Sequence, residues 1–181
     1  LESALKELEI MNRLKGSLFV PLYEADILIP SKQLDTGLKK RTLSFHTELF
    51  DGDLKDFAYP KHEFKEILNV MLQAVEAVHL FHKAGLFHRD IKPGNFFYLR
   101  TGASLRIALA DYGLSEELNQ TGKRKYAGTR GYIDPFVCLR YARGEKSIKK
   151  EKYAIASDIY SLGVTFARFF SSETNPLTEL T

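Results

Sequence analysis

His88-Arg89-Asp90-Ile91-Lys92-Pro93-Gly94-Asn95 places a carboxylate, an ammonium and a carboxamide at fixed spacing in one short stretch. Transfer of a phosphoryl group from ATP requires those three groups close together. Asp90 can orient an attacking hydroxyl and accept its proton, and Lys92 can neutralise charge on the migrating phosphate. Asn95 offers a hard oxygen ligand to magnesium. A lone H-x-D would read as a surface turn. Here the stretch follows a long amphipathic helical pattern and precedes a hydrophobic strand pattern. Further on comes Asp111-Tyr112-Gly113, a second carboxylate followed by a glycine hinge.

With that context the chain resembles the catalytic core of eukaryotic-type protein kinases, serine/threonine branch. The resemblance implies an α+β, protein-kinase-like fold truncated at both ends. Residues 1–47 would form a partial small lobe (helix C and its last strands), 48–54 a hinge, and 55–181 a mainly helical partial large lobe. The large lobe would carry catalytic loop 88–95 and activation segment 111–136. In this likeness Asp90 is the base, Lys92 the electrostatic stabiliser, and Asn95 and Asp111 the ligands of a Mg2+ that bridges the phosphates of ATP. Glu7, rather than Glu9, is the ion-pairing glutamate of helix C. Backbone groups of Glu48 and Phe50 would hold the adenine, with Thr47 behind the pocket and Phe97 as its floor.

Arg89, beside the base, invites an anionic partner, which in this family a phosphorylated activation segment supplies. Ser115, Thr121 and Tyr126 are the candidate acceptors, through an activating kinase or autophosphorylation. Gly128-Thr129-Arg130-Gly131-Tyr132 resembles the platform that receives a substrate peptide. There Thr129 is expected to bond toward Asp90 and Lys92 and to favour serine or threonine hydroxyls of a protein substrate. Asp158, on an apolar helix, is expected to bind backbone of the catalytic loop, a structural role. His88 is expected to pack and hydrogen-bond rather than act as a base.

Three departures from the family pattern bear on activity. Tyr112 replaces the usual phenylalanine of its triad, and its added hydroxyl needs a partner if buried. Phe136 stands where a glutamate usually pairs with a later arginine; losing such a pair is neutral if both sides become apolar. No Gly-x-Gly-x-x-Gly loop and no strand lysine precede Glu7. Both ends read as cuts through a larger domain, so the expectation is that a parent protein supplies these parts and that the piece alone binds ATP poorly. The competing readings are a pseudokinase acting as a scaffold or allosteric partner, and a small-molecule phosphotransferase of related fold. Lys92 and the 128–135 platform favour a protein substrate over the latter.

Composition sets the outer limits. A chain of 181 residues with 44% hydrophobic residues can bury a substantial core. A net charge of +3 with both signs interspersed makes no case for nucleic acid or an anionic membrane. The single Cys138 excludes an internal disulfide framework and fits a reducing, cytoplasmic setting. No apolar run is long enough to span a bilayer.

Periodicity predicts the elements. Leu1, Ala4, Leu5, Leu8 and Met11 mark a first helix ended by Gly16-Ser17; Phe19–Ile29 and Thr42–Thr47 read as strands joined by an exposed turn over Pro30–Arg41. From Pro60 a helix carries Phe64, Ile67, Leu68, Met71, Leu72, Val75 and Val78 along one stripe and closes at Gly85. His79 and His82 share its face, but with no third ligand in register they read as structural or exposed. Phe96–Leu99 and Leu105–Leu109 form a strand pair, Arg140–Lys152 a solvated basic insertion, and Tyr153–Phe170 a helix apolar enough to be buried.

Overall fold

The structure, a computed structural model, describes residues 2–28, 42–58, 60–119, 127–144 and 151–171. Helix α1 (Glu2–Arg13) opens it. Its inward line is Ile10 and Met11, continued by Leu14 just past its end, with Glu7 half-buried on the same side. Leu5, expected on the apolar line, is exposed, and so is Glu9. The inward face is therefore rotated toward Glu7. Strand β1 (Leu22–Leu28) pairs antiparallel with β2 (Thr42–Thr47), with a register shift between Leu22 and Glu24. The first strand begins later than its sequence suggested, because Phe19 is engaged elsewhere, in a parallel bridge to Leu109. The expected turn over 30–41 lies outside the described residues.

Strand β3 (Gly52–Asp53) leads into a single 3-10 turn, Leu54–Asp56, capped by Asp53, whose carboxylate accepts from the Lys55 backbone at 2.8 Å. The long helix α2 (Phe64–Lys83) follows. It starts four residues after Pro60 (64 − 60), and Gly85 stops it at φ +76, a backbone setting that favours glycine. Its buried face is Ile67, Val70, Ala74, Ala77, Val78 and Phe81. Phe64, Leu68, Leu72 and Val75, expected along the inward stripe, are exposed. The inward side instead carries the alanines, which let α2 lie close against the strand beneath it.

That strand belongs to the sheet β3-β5-β6, built from β5 (Phe96–Thr101) and β6 (Ser104–Leu109) in the expected hairpin. At the edge of β6 the Gln73 carboxamide replaces a neighbouring strand. Its Nε2 donates to the Leu105 carbonyl (2.9 Å), and its Oε1 accepts from the Ile107 N–H (3.0 Å). At the end of β6 the Leu109 N–H donates to Leu18, and its carbonyl accepts from Val20 (2.8 and 3.2 Å), tying the α1–β1 connection to the hairpin.

Strand β4 (Leu86–Phe87) pairs antiparallel with β7 (Glu116–Glu117). Helix α3 (Pro135–Ala142) is capped by Asp134, which accepts from Phe136 N–H at 2.8 Å. Arg140 thus belongs to α3 and Lys152 to the helix that follows, so both ends of the expected insertion are helical, and residues 145–150 lie outside the described residues. Helix α4 (Glu151–Phe170) is buried on one face alone, through Ala154, Asp158, Ser161, Leu162, Thr165 and Phe169. Ile159 and Phe170 are exposed, which corrects the expectation of burial all round. Hydrophobicity around a circumference does not say which side receives a neighbour.

Candidate active site

The 88–95 stretch is held from below by α4. Asp158, 1% exposed, accepts the backbone N–H of His88 and of Arg89, each at 2.8 Å, and its Oδ2 also accepts from His82 Nε2 at 2.8 Å. His82 is therefore structural, and His79 is exposed. His88 is fully buried; its Nε2 sits 3.0 Å from the Ala110 carbonyl, and its Nδ1 accepts from the Asp90 N–H at 3.3 Å. A carbonyl only accepts, so Nε2 carries the proton and the ring is neutral. Burial pushes the imidazole pKa down against the opposing pull of Asp158, Asp90 and Asp111.

Directly above lies a triangle of short contacts. Thr129 Oγ1 donates to Asp90 Oδ1 at 2.6 Å, and Lys92 Nζ donates to Asp90 Oδ2 at 2.6 Å and to Thr129 Oγ1 at 2.8 Å. Asn95 Nδ2 adds bonds to the Asp90 carbonyl (2.8 Å) and to Oδ2 (3.1 Å). Burial alone would raise the Asp90 pKa, but Lys92, Thr129 and Asn95 outweigh it and hold the carboxyl below its ordinary range. Thr129 arrives because Gly128 lets the chain pass at φ +125, where a Cβ would lie 2.8 Å from the Arg89 carbonyl. Beyond it, the Tyr132 carbonyl accepts from Ser161 Oγ (2.7 Å), and the Arg168 guanidinium lies 4.5 Å from the Tyr132 ring centroid.

Asp111 follows Ala110, whose N–H donates to the Asn95 carbonyl at 2.9 Å, so the two expected magnesium ligands are neighbours. Asp111 is exposed, with φ +61. The Tyr112 N–H donates to Glu7 Oε1 at 3.1 Å, which places Glu7 beside Asp111, while Glu9 faces solvent. Burial, then the neighbouring Asp111 charge, raise the Glu7 pKa; the Tyr112 bond opposes them. Tyr112 is buried, its ring packed on Phe81 and His88, and its hydroxyl donates to the Leu109 carbonyl at 2.5 Å. The extra hydroxyl has its partner. Burial raises its pKa.

Asn95 Nδ2 is spent on Asp90, which leaves its Oδ1 as the ligand-capable atom. With the Asp111 carboxylate, this is a set of hard oxygen donors that suits Mg2+ completed by phosphate oxygens and water. Among the described residues no three His, Cys, Asp or Glu side chains gather into a protein-only metal cage.

Glu48, Phe50 and Phe97 are brought together by a residue that sequence reasoning missed. Arg106 on β6 binds Glu48 Oε2 (2.5 Å), donates to the Ser17 carbonyl (2.8 Å), and lies 5.3 Å from the Phe50 ring centroid; Phe50 packs on Phe97 at 5.6 Å. Thr47 Oγ1 donates to the Glu48 carbonyl at 3.3 Å. The alternation of Leu105, Ile107 and Leu109 with Arg106 was the available signal, since it turns Arg106 away from the face of its neighbours.

One expectation needs revision. Ser115 is fully buried, its hydroxyl 3.4 Å from the His88 carbonyl, so it is no accessible phosphoryl acceptor; Thr121 and Tyr126 lie outside the described residues. Phe136 stacks on Tyr153 at 5.2 Å, with the Arg140 guanidinium 5.6 Å from its ring centroid. An aromatic contact from α3 to α4 thus occupies the position of the family's glutamate.

Comparison with known proteins gives the family. The sequence matches the protein kinase domain over residues 1–179, and the chain belongs to that family. Calcium/calmodulin-dependent protein kinase type 1 of Caenorhabditis briggsae is 28% identical over 167 residues, covering 90% of this chain and 41% of the relative. Calcium/calmodulin-dependent protein kinase cmkA of Emericella nidulans is 33% identical over 119 residues, 65% of this chain and 26% of the relative. A Dictyostelium discoideum protein described as a probable serine/threonine-protein kinase is 35% identical over 126 residues, 66% and 18%. The chain thus spans less than half the length of these relatives. The four helices and small antiparallel sheets among the described residues are those of a partial kinase fold, and the relatives are named as protein kinases, one of them as a probable serine/threonine-protein kinase.

Proposed function

We propose that this chain carries the catalytic machinery of a serine/threonine protein kinase, which passes the γ-phosphoryl group of ATP to hydroxyls of a protein. The observation behind this reading is the triangle of Asp90, Lys92 and Thr129, with Asp90 already accepting a threonine-type hydroxyl at 2.6 Å. Asp90 orients the substrate hydroxyl and takes its proton as the oxygen attacks the γ-phosphorus; the bond from that phosphorus to the β-phosphate oxygen breaks, and ADP leaves. Lys92, bonded to both Asp90 and Thr129, keeps a positive charge beside the migrating group. Asn95 and Asp111 would hold Mg2+, which when bound neutralises charge on the phosphates. Glu48, Phe50 and Phe97, clamped by Arg106, line the proposed place of the adenine. A reducing, cytoplasmic setting accompanies this reading and is supported by the single cysteine.

The test is transfer of labelled phosphate by the full-length protein beside an Asp90→Asn control. Label on serine or threonine that vanishes in the control supports the reading. A folded protein that transfers nothing would replace it with a scaffold, the role to which Phe136 points.

A further inference from the structure

Resting on that reading, we propose that Glu116 and Glu117 are positioning residues that supply from the chain itself the anion required beside Asp90, so that catalysis does not wait on phosphorylation of the activation segment. The two glutamates form the whole of β7, and adjacent residues of a strand point to opposite faces. Glu116 ion-pairs with Arg89; Glu117 ion-pairs with Arg13. The strand partners bring these pairs together, Phe87 opposite Glu116 and Leu86 opposite Glu117, just ahead of Arg89.

The Arg89 pair is largely enclosed, its side chains 12% and 17% exposed, with the guanidinium 5.9 Å from the Phe87 ring centroid. Its backbone has φ +73, in the left-handed region. The next residue is Asp90, so the conformation of residue 89 sets the direction of the catalytic carboxylate. Arg13 sits in the last turn of α1, the helix that carries Glu7, and also donates to the Ala84 carbonyl at the end of α2. One dipeptide therefore ties the catalytic loop, α1 and α2 to the stretch that follows Asp111. At Arg89 the Glu116 carboxylate stands where a phosphate would bring a charge of about −1.5 to −2, while Glu117 spends its carboxylate on Arg13 on the other face. Ser115, the candidate acceptor next to the dipeptide, is buried.

The test uses the full-length protein, treated with a phosphatase until mass spectrometry finds no phosphate on residues 111–136. The expected result is that kcat changes less than about twofold on this treatment. Glu116→Gln is expected to lower kcat by roughly 10- to 100-fold with the KM for ATP unchanged, and Glu116→Asp to recover much of the loss. Glu117→Gln, at the more exposed pair, gives a smaller drop. Phosphatase treatment that abolishes wild-type transfer, or full activity in Glu116→Gln, overturns the inference and leaves the kinase reading intact. Absence of transfer before any treatment overturns the kinase reading instead. In that case amide hydrogen exchange decides the positioning role: faster exchange at His88–Asp90 in Glu116→Gln supports it, and unchanged exchange overturns it.

Discussion

The surroundings of Asp90 and of Asp111 differ in how they treat a carboxylate. Asp90 is buried, and a lysine, a threonine and an asparagine surround it closely enough to hold its pKa down. Asp111 is exposed, and its described electrostatic neighbour is another acid, Glu7, whose pKa the encounter helps to raise. Among the described residues no cation pairs with either of these two acids. One half of the site has its opposite charges built in, and the other, among the described residues, has none. Under the proposed function Asp90 would supply the proton acceptor, and Mg2+ with the phosphates of ATP would supply the charges at the Asp111 end.

The largest effect that tests this contrast is on chemistry. Asp90→Asn keeps the hydrogen-bonding shape but cannot take the proton, and should cut transfer by about 10³-fold, measured as kcat on the full-length protein. Full activity in that variant would erase the distinction between the halves. Next comes stability of the built-in half. Asp158→Ala strips the acceptor from two backbone N–H groups, one of them buried, and from His82, and should cost about 3 kcal/mol or more in denaturant unfolding. Tyr112→Phe removes one buried hydrogen bond to Leu109 and should cost about 1 kcal/mol by the same measurement.

The smallest effect has the opposite sign. Glu7 has a raised pKa in the fold, so its contribution to stability is complete below the unfolded glutamate value of about 4.3 and is lost as pH rises through the folded value. Glu7→Gln should therefore raise the melting temperature of this chain slightly at pH 7, and the gain should shrink on acidification toward pH 5. A loss of stability at pH 7 would mean that the ionised Glu7 is already compensated.

Local patterning and the family resemblance made different parts of the molecule legible from sequence. The β5–β6 hairpin follows from strand patterning. The meeting of Thr129 with Asp90 and Lys92, the Asp158 tie to the loop and the inward turn of Glu7 join residues 37 to 105 positions apart and were expected only from the resemblance to protein kinases. Burial on the long helices was not legible. The line Phe64, Leu68, Leu72 of α2 has helical spacing as good as that of Ile67, Val70, Ala74, and periodicity alone does not choose between two apolar faces of one helix. The arginine contacts were also hidden. Arg13 and Glu117 are 104 positions apart, and Arg106 and Glu48 are 58 apart; unlike Glu7 and Asp158, these arginines lie in no motif, so neither local pattern nor resemblance points to their partners.

Gly128 has one further consequence. The smallest side chain at that position would collide with the Arg89 carbonyl, 2.8 Å from the would-be carbon, in a backbone setting at φ +125 already unfavourable to it. The strand of chain that brings Thr129 and the catalytic loop are therefore spaced to a tolerance finer than a single methyl group. Gly128→Ala acts as a molecular shim: it would pry Thr129 from Asp90 while removing no chemical group from the site, and so would separate the cost of misalignment from the cost of missing chemistry.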